Sequence, residues 1–178
     1  MKTFILPLFL AGLAFGLASC TSHRNPPLQT ATQVDIARYT GHWYELFRLP
    51  NSFQRDDSKA EAQYKLQADG TVLVVNTETR PDKERVTVTG TATVVPDGRN
   101  SRFRVRFEGP AALAPVPEEG NYWIIKLAPD YSTALVGTPD RKFLWLLSRR
   151  PKISAELRSS YEAEAQRLGF DTSKLIHH

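Results

Sequence analysis

The chain has 178 residues, 41% of them hydrophobic and 24% charged, which is ordinary for a soluble globular protein and long enough for one domain with a real core. Its net charge of +4 falls to +3 if residues 1–19 are removed, since Lys2 is their only charged residue, and so mild an excess makes no case for nucleic acid. Cys20 is the single cysteine, so no intrachain disulfide can form and the fold must hold by its core.

The N-terminus departs from that average. Phe4 to Ala18 is a nearly unbroken apolar run with its only charge in front of it, short for a membrane span and of the form of a secretory signal peptide. It ends Leu17-Ala18-Ser19-Cys20, which resembles the bacterial lipobox. That resemblance implies cleavage before Cys20 and acylation of its thiol and amine with chains of the palmitate kind. Each buried methylene then adds about 0.8 kcal/mol to anchoring. Thr21 follows where an aspartate would retain the protein at the inner membrane; by resemblance to that sorting rule the destination is the outer membrane, lipid-anchored on its periplasmic face. Thr21 to Gln33 is polar, with Pro26-Pro27 and no periodicity, and reads as a tether. The chain thus divides into a signal peptide (1–19), a lipidated N-terminus with a flexible tether (20–33) and one domain (34–178).

From Tyr39 to Arg149, strands alternate with turn chemistry at short intervals, as in an all-β barrel or sandwich. Gly41-x-Trp43 opens the first, near Trp43 to Leu49. Lys59 to Leu66 alternates Ala60, Ala62, Tyr64 and Leu66 with polar residues, and Ala68-Asp69-Gly70 turns it into a third strand at Thr71 to Thr79. Pro81 and its charged neighbours break the chain. Val86 to Val94 alternates strictly with threonines, and Phe103, Val105 and Phe107 alternate with Arg102, Arg104 and Arg106. Those arginines read as a solvated outer face, with anionic headgroups as the sharper alternative. A proline-rich loop at 109–120 precedes strands near Tyr122 to Leu127, Ser132 to Gly137 and Lys142 to Ser148. After Pro151 the period becomes helical: Ile153, Leu157, Tyr161, Ala165 and Leu168 share a stripe, Ser154 is the expected N-cap, and Gly169-Phe170 the stop.

Eight strands joined in order, each reversing the last, bring Arg149 at the end of the eighth beside Trp43 at the start of the first. A guanidinium there stacks on the indole and reaches nearby carbonyls, a contact worth about 0.5 to 2 kcal/mol. Asp130-Tyr131 falls at the same end, the floor. Gly41-His42-Trp43-Tyr44-Glu45, Asp130-Tyr131 with the following strand, and Trp145 to Arg149 before the helix resemble, in order, the three motifs of the lipocalin family, and in particular its bacterial outer-membrane lipoproteins, similar also to animal apolipoprotein D. The resemblance implies an eight-stranded antiparallel up-and-down barrel with one C-terminal α-helix packed outside. It makes Gly41, Trp43, Asp130, Tyr131 and Arg149 a structural floor.

Function is then expected inside the cup. With Trp43 inward, Glu45 and Phe47 follow it by parity, and the more apolar face of each other strand supplies the rest. Large aromatics mixed with valine, alanine and glycine leave an apolar space with few polar handles, and Tyr64, Val74, Asn76, Phe103, Phe107, Tyr122, Phe143 and Trp145 are the expected cavity residues. The expected ligand is a fatty acid, a lysophospholipid or a similar apolar molecule, held or transported for membrane maintenance or stress. Glu45 is expected to link floor strands. No Gly-x-Ser-x-Gly elbow or metal-spaced His/Glu motif occurs, and no histidine is expected inside the cup, so a binding protein without catalytic residues, metal or cofactor is expected. The competing readings are a lipid-modifying enzyme on this barrel and an adaptor whose barrel is full. Oligomeric state is left open. His177-His178 is expected to be a frayed end.

Overall fold

The computed structural model describes residues 25–109, 112 and 115–178; Cys20 and the residues before it lie outside them. Eight antiparallel strands close into a barrel: β1 (Gly41–Arg48), β2 (Lys59–Leu66), β3 (Val72–Thr79), β4 (Arg85–Val94), β5 (Arg102–Phe107), β6 (Tyr122–Leu127), β7 (Thr133–Gly137) and β8 (Leu144–Ser148). Each pairs with the next, and β1 pairs with both β2 and β8. A four-residue helix, α1 (Ile36–Tyr39), precedes β1, and α2 (Ala155–Arg167) follows β8. Ser154 caps α2 by accepting from the Leu157 N–H, as its side chain and position require. Among the described residues no helix is long and apolar enough to cross a membrane.

Two cores share the barrel wall. The inner one contains Trp43, Ala62, Tyr64, Val74, Phe103, Ile124, Ala134, Val136 and Leu147. The outer one lies between wall and α2 and contains Leu46, Phe47, Leu135, Leu144, Leu146, Tyr161, Ala165 and Phe170. Leu144 and Leu146 thus fall outward against the helix, as their parity requires. Leu157, expected on the same helical stripe, is instead 40% exposed.

The parity expected for β1 fails halfway along it. The pairing with β8 runs Glu45↔Leu147 and then Phe47↔Leu146, a β-bulge that takes up one residue of β1. A bulge reverses every face beyond it, so Phe47 joins the outer core and Arg48 turns inward opposite Trp145, fully buried. Trp123 and Ile125 of β6 face outward by ordinary alternation, and a second bulge, between Ile124 and Lys126, returns Leu127 to the inner core.

Three further departures come from the chain ends and loops. A ninth strand, β9 (Ile176–His177), pairs with Phe47 and Arg48 of β1, so His177-His178 is built into the wall rather than frayed. β2 pairs only with Gly41 to Tyr44 of β1, and β9 covers the β1 edge that this leaves open. The flexible tether expected at 20–33 is ordered from Asn25 onward: Leu28 is buried, the Ala31 N–H donates to the Ile124 carbonyl at 2.9 Å, and the Ser101 hydroxyl donates to Thr30 Oγ1 at 2.8 Å. Its lack of periodicity reflects a single extended strap with partners on one side. Finally, Arg102 pairs with Asp97, while Arg104 and Arg106 donate to carbonyls of Glu118 and Ala112; these arginines face outward, Arg102 holding the β4–β5 turn and the other two the long loop.

Candidate functional site

Gly41, Trp43, Asp130, Tyr131 and Arg149 lie together at one end of the barrel. Arg149 lies 3.8 Å above the Trp43 ring, and its guanidinium donates to the carbonyls of His42, Arg38, Thr40 and Tyr39 at 2.7 to 3.1 Å. Gly41 has φ +95°, and a Cβ there would stand 3.2 Å from an Arg149 nitrogen, so both backbone and space demand glycine. Asp130 accepts from the Ser132 N–H, and the Tyr131 hydroxyl accepts from the Asp35 N–H. The Trp43 indole donates to the Tyr39 carbonyl at 2.9 Å, which ties α1 beneath the barrel as its plug.

Above the plug, three tyrosines fill the lower barrel. Tyr39 and Tyr122 share a hydroxyl hydrogen bond of 2.7 Å, and Tyr64 and Tyr122 one of 3.2 Å; the Tyr39 and Tyr64 rings stack at 5.9 Å. Burial pushes the Tyr64 hydroxyl up to about 12 and those of Tyr39 and Tyr122 well above the usual tyrosine range, since a phenolate would have no water to solvate it. The space left among Ile36, Tyr39, Tyr64, Val74, Phe103 and Tyr122 is about 20 Å³, room for one water and not for an acyl chain. Four of the expected cavity residues, Tyr64, Val74, Phe103 and Tyr122, therefore line a packed lower chamber.

The other four, Asn76, Phe107, Phe143 and Trp145, stand higher and are partly exposed. Val88, directly across from Asn76 in the inward row of β4, is 47% exposed, which marks the upper cup as open. Phe143 and Trp145 stack at 5.9 Å, and Phe53, from the β1–β2 loop and 64% exposed, lies 5.5 Å from Phe143 and 6.5 Å from Trp145. Gly90 leaves room for Phe107: a Cβ would stand 2.8 Å from its ring. The Asn76 Oδ1 is buried with no hydrogen-bond partner, an acceptor held inside the cup.

Between the two levels runs a polar cluster that parity alone misses. Glu45 accepts from the Gln54 amide at 3.0 Å and contacts the His178 imidazole at 2.9 Å, and Arg48 Nε lies 3.2 Å from it. The Arg48 guanidinium also donates to the carbonyls of Leu49 and Arg55 and approaches Asp56 at 3.6 Å. Glu45 therefore bridges β1, the β1–β2 loop and the C-terminal strand, above the floor where it was expected. Arg48 enters through the bulge, and the only sequence trace of that bulge is the break in alternation at Leu46-Phe47 and Leu49. A histidine does stand in the cup, contrary to expectation, because β9 carries His178 into the wall. Among the described residues no group of three or more His, Cys, Asp or Glu is placed to hold a metal ion.

Residues 34–178 match the lipocalin-like domain family. The chain belongs to the lipocalin family. As a member of it, the lipocalin described here is 38% identical over 175 residues to the outer membrane lipoprotein Blc of Citrobacter freundii, covering 97% of this chain and 95% of that one. It is 34% identical to temperature-induced lipocalin-1 of Arabidopsis thaliana (83% and 80% covered) and 33% identical to apolipoprotein D of Rattus norvegicus (82% and 74% covered). Among solved structures it superposes on insecticyanin of the tobacco hornworm Manduca sexta with a TM-score of 0.60 at 17% identity, covering 86% and 84% of the two chains, which speaks to the fold.

Proposed function

We propose that this lipocalin is an outer-membrane lipoprotein that binds a single-chain lipid, a fatty acid or lysophospholipid, in the upper half of its barrel. The observation that carries this is the open apolar mouth: Val88 is half exposed on an inward row, facing partly exposed Phe107, Phe143 and Trp145 under the Phe53 ring. Such a concave apolar surface with one unpartnered acceptor, Asn76 Oδ1, is the usual make-up of a small-molecule site. Cys20 is the proposed lipidation site, and full-length similarity to proteins named outer membrane lipoprotein supports the location. The tyrosine-filled lower barrel limits how deep the chain reaches, so the tail bends or stops above Tyr64 and Tyr122. The same filling favours a second reading, an adaptor lipoprotein whose barrel takes no ligand.

One experiment separates them. Lipids extracted from the purified protein are identified by mass spectrometry, and the apo form is titrated with oleate and with lysophosphatidylcholine by isothermal calorimetry. A co-purifying acyl chain and saturable binding, lost in Trp145→Ala and Val88→Glu, support the binder. No acyl chain and no saturation leave the adaptor.

A further inference from the structure

The ordered part of the N-terminal strap begins at the rim of the barrel. Asn25 packs against Gly169 beyond the end of α2, and the Pro26 carbonyl accepts from Arg141 in the turn between β7 and β8. That turn belongs to the open end, because β7 climbs from the Arg149 floor. From there the strap descends the wall past Leu28, Thr30 and Ala31, and reaches the floor where the Val34 N–H donates to the Arg99 carbonyl. β1 then climbs again. Whatever precedes Asn25 is therefore attached at the mouth and not at the floor.

We propose that the barrel sits with its mouth against the headgroup surface of the membrane and its Trp43–Arg149 floor pointing away. The proposal rests on the reading of Cys20 as the anchor. Five peptide steps separate Cys20 from Asn25 and span at most about 18 Å when fully extended. The ten residues of β4, nine steps of about 3.4 Å tilted by about 40°, make the barrel about 23 Å tall. Presenting the floor to the membrane would require those five steps to span more than their full extended length, whereas presenting the mouth requires no such span. Among the described residues, the mouth also carries an exposed large apolar side chain, Phe53, suited to an interface where one face is apolar and the other wet. A lipid leaving the bilayer then enters the cup without crossing bulk water.

Exposed lysines at the two ends report the orientation. Lys83 and Lys142 lie at the rim, and Lys65 and Lys152 at the floor. The full chain, processed and purified from a bacterial envelope, is placed in phosphatidylcholine–phosphatidylglycerol vesicles and acetylated, and each site is compared by mass spectrometry with the same preparation in detergent. Severalfold protection of Lys83 and Lys142 with Lys65 and Lys152 unchanged is expected. Protection of the floor lysines, of both ends equally, or of neither, overturns the proposal. Intact mass shows separately whether Cys20 is acylated. Where it is not, a maleimide-linked lipid on the same thiol supplies the anchor for the same footprint, so lipidation and orientation stand or fall independently.

Discussion

At Trp43 the indole is fully buried, stacked by Arg149 and hydrogen-bonded to α1. Trp43→Ala leaves a large cavity at the plug and is expected to cost about 3 to 5 kcal/mol, read as a lowered denaturant midpoint, while the affinity of the remaining folded fraction for oleate changes little. The Glu45–Arg48 pair behaves differently, because both partners are out of water. Removing one strands the other, and Arg48→Ala is expected to cost about 3 to 5 kcal/mol. A double replacement, Glu45→Gln with Arg48→Met, is expected to cost clearly less than Arg48→Ala, and equal losses in the two proteins would show that the pair is not coupled. Neither residue's neighbours identify a ligand contact, so the first effect is on stability.

The element whose contribution is least expected is β9. Two residues paired to β1 and a third, His178, donating its N–H to the Leu46 carbonyl at 3.0 Å close the part of the β1 edge that β2 does not reach. Deleting Ile176 to His178 is expected to expose that edge and to leave Glu45 with Gln54 and Arg48 alone. The checks are faster amide hydrogen exchange in β1 residues 46–48 and a lower melting temperature, with exchange in β3 and β4 unchanged. For α2, Ser154→Ala removes the cap acceptor and is expected to cost about 1 kcal/mol by the same denaturant measurement.

Over the whole molecule, the barrel is divided by height: a floor of backbone carbonyls around one guanidinium, a chamber packed with tyrosines, a buried ionic belt and an apolar mouth. The tyrosine chamber makes stability depend on alkali. Tyr64 releases its proton near 10 in the unfolded chain but only at about 12 in the fold, and Tyr39 and Tyr122 shift the same way by burial. The folded state therefore holds more protons than the unfolded one between those values. The stability is fully present below about pH 10 and is lost as pH rises toward about 12. A melting curve followed over that range is expected to fall, and to fall less steeply in Tyr64→Phe, with the phenolate absorbance appearing together with unfolding.

How much of this was legible from residues alone varies with the range of the interaction involved. The eight strands, the helix with its Ser154 cap and the meeting of Trp43 with Arg149 follow from alternation, turn residues and strand count, since each reversal of direction is a local event and seven of them lay the eighth strand beside the first. The family resemblance rests on the same three stretches. The inward face of β1 beyond Glu45 was not legible, because a bulge is decided by which neighbour fits across the strand, and it alone moved Phe47 out and Arg48 in. The strap, the plug formed by Ile36 to Tyr39, and β9 carry no periodicity of their own; each is held mainly by partners far along the chain or by an edge that other strands leave open. Sequence by itself determined that the chain forms a closed barrel with an aromatic interior. Only the tertiary structure decided that its lower half is full, that an ionic belt crosses it, and that its N-terminal strap begins at the mouth, because these depend on volumes and edges shared among elements far apart in the chain.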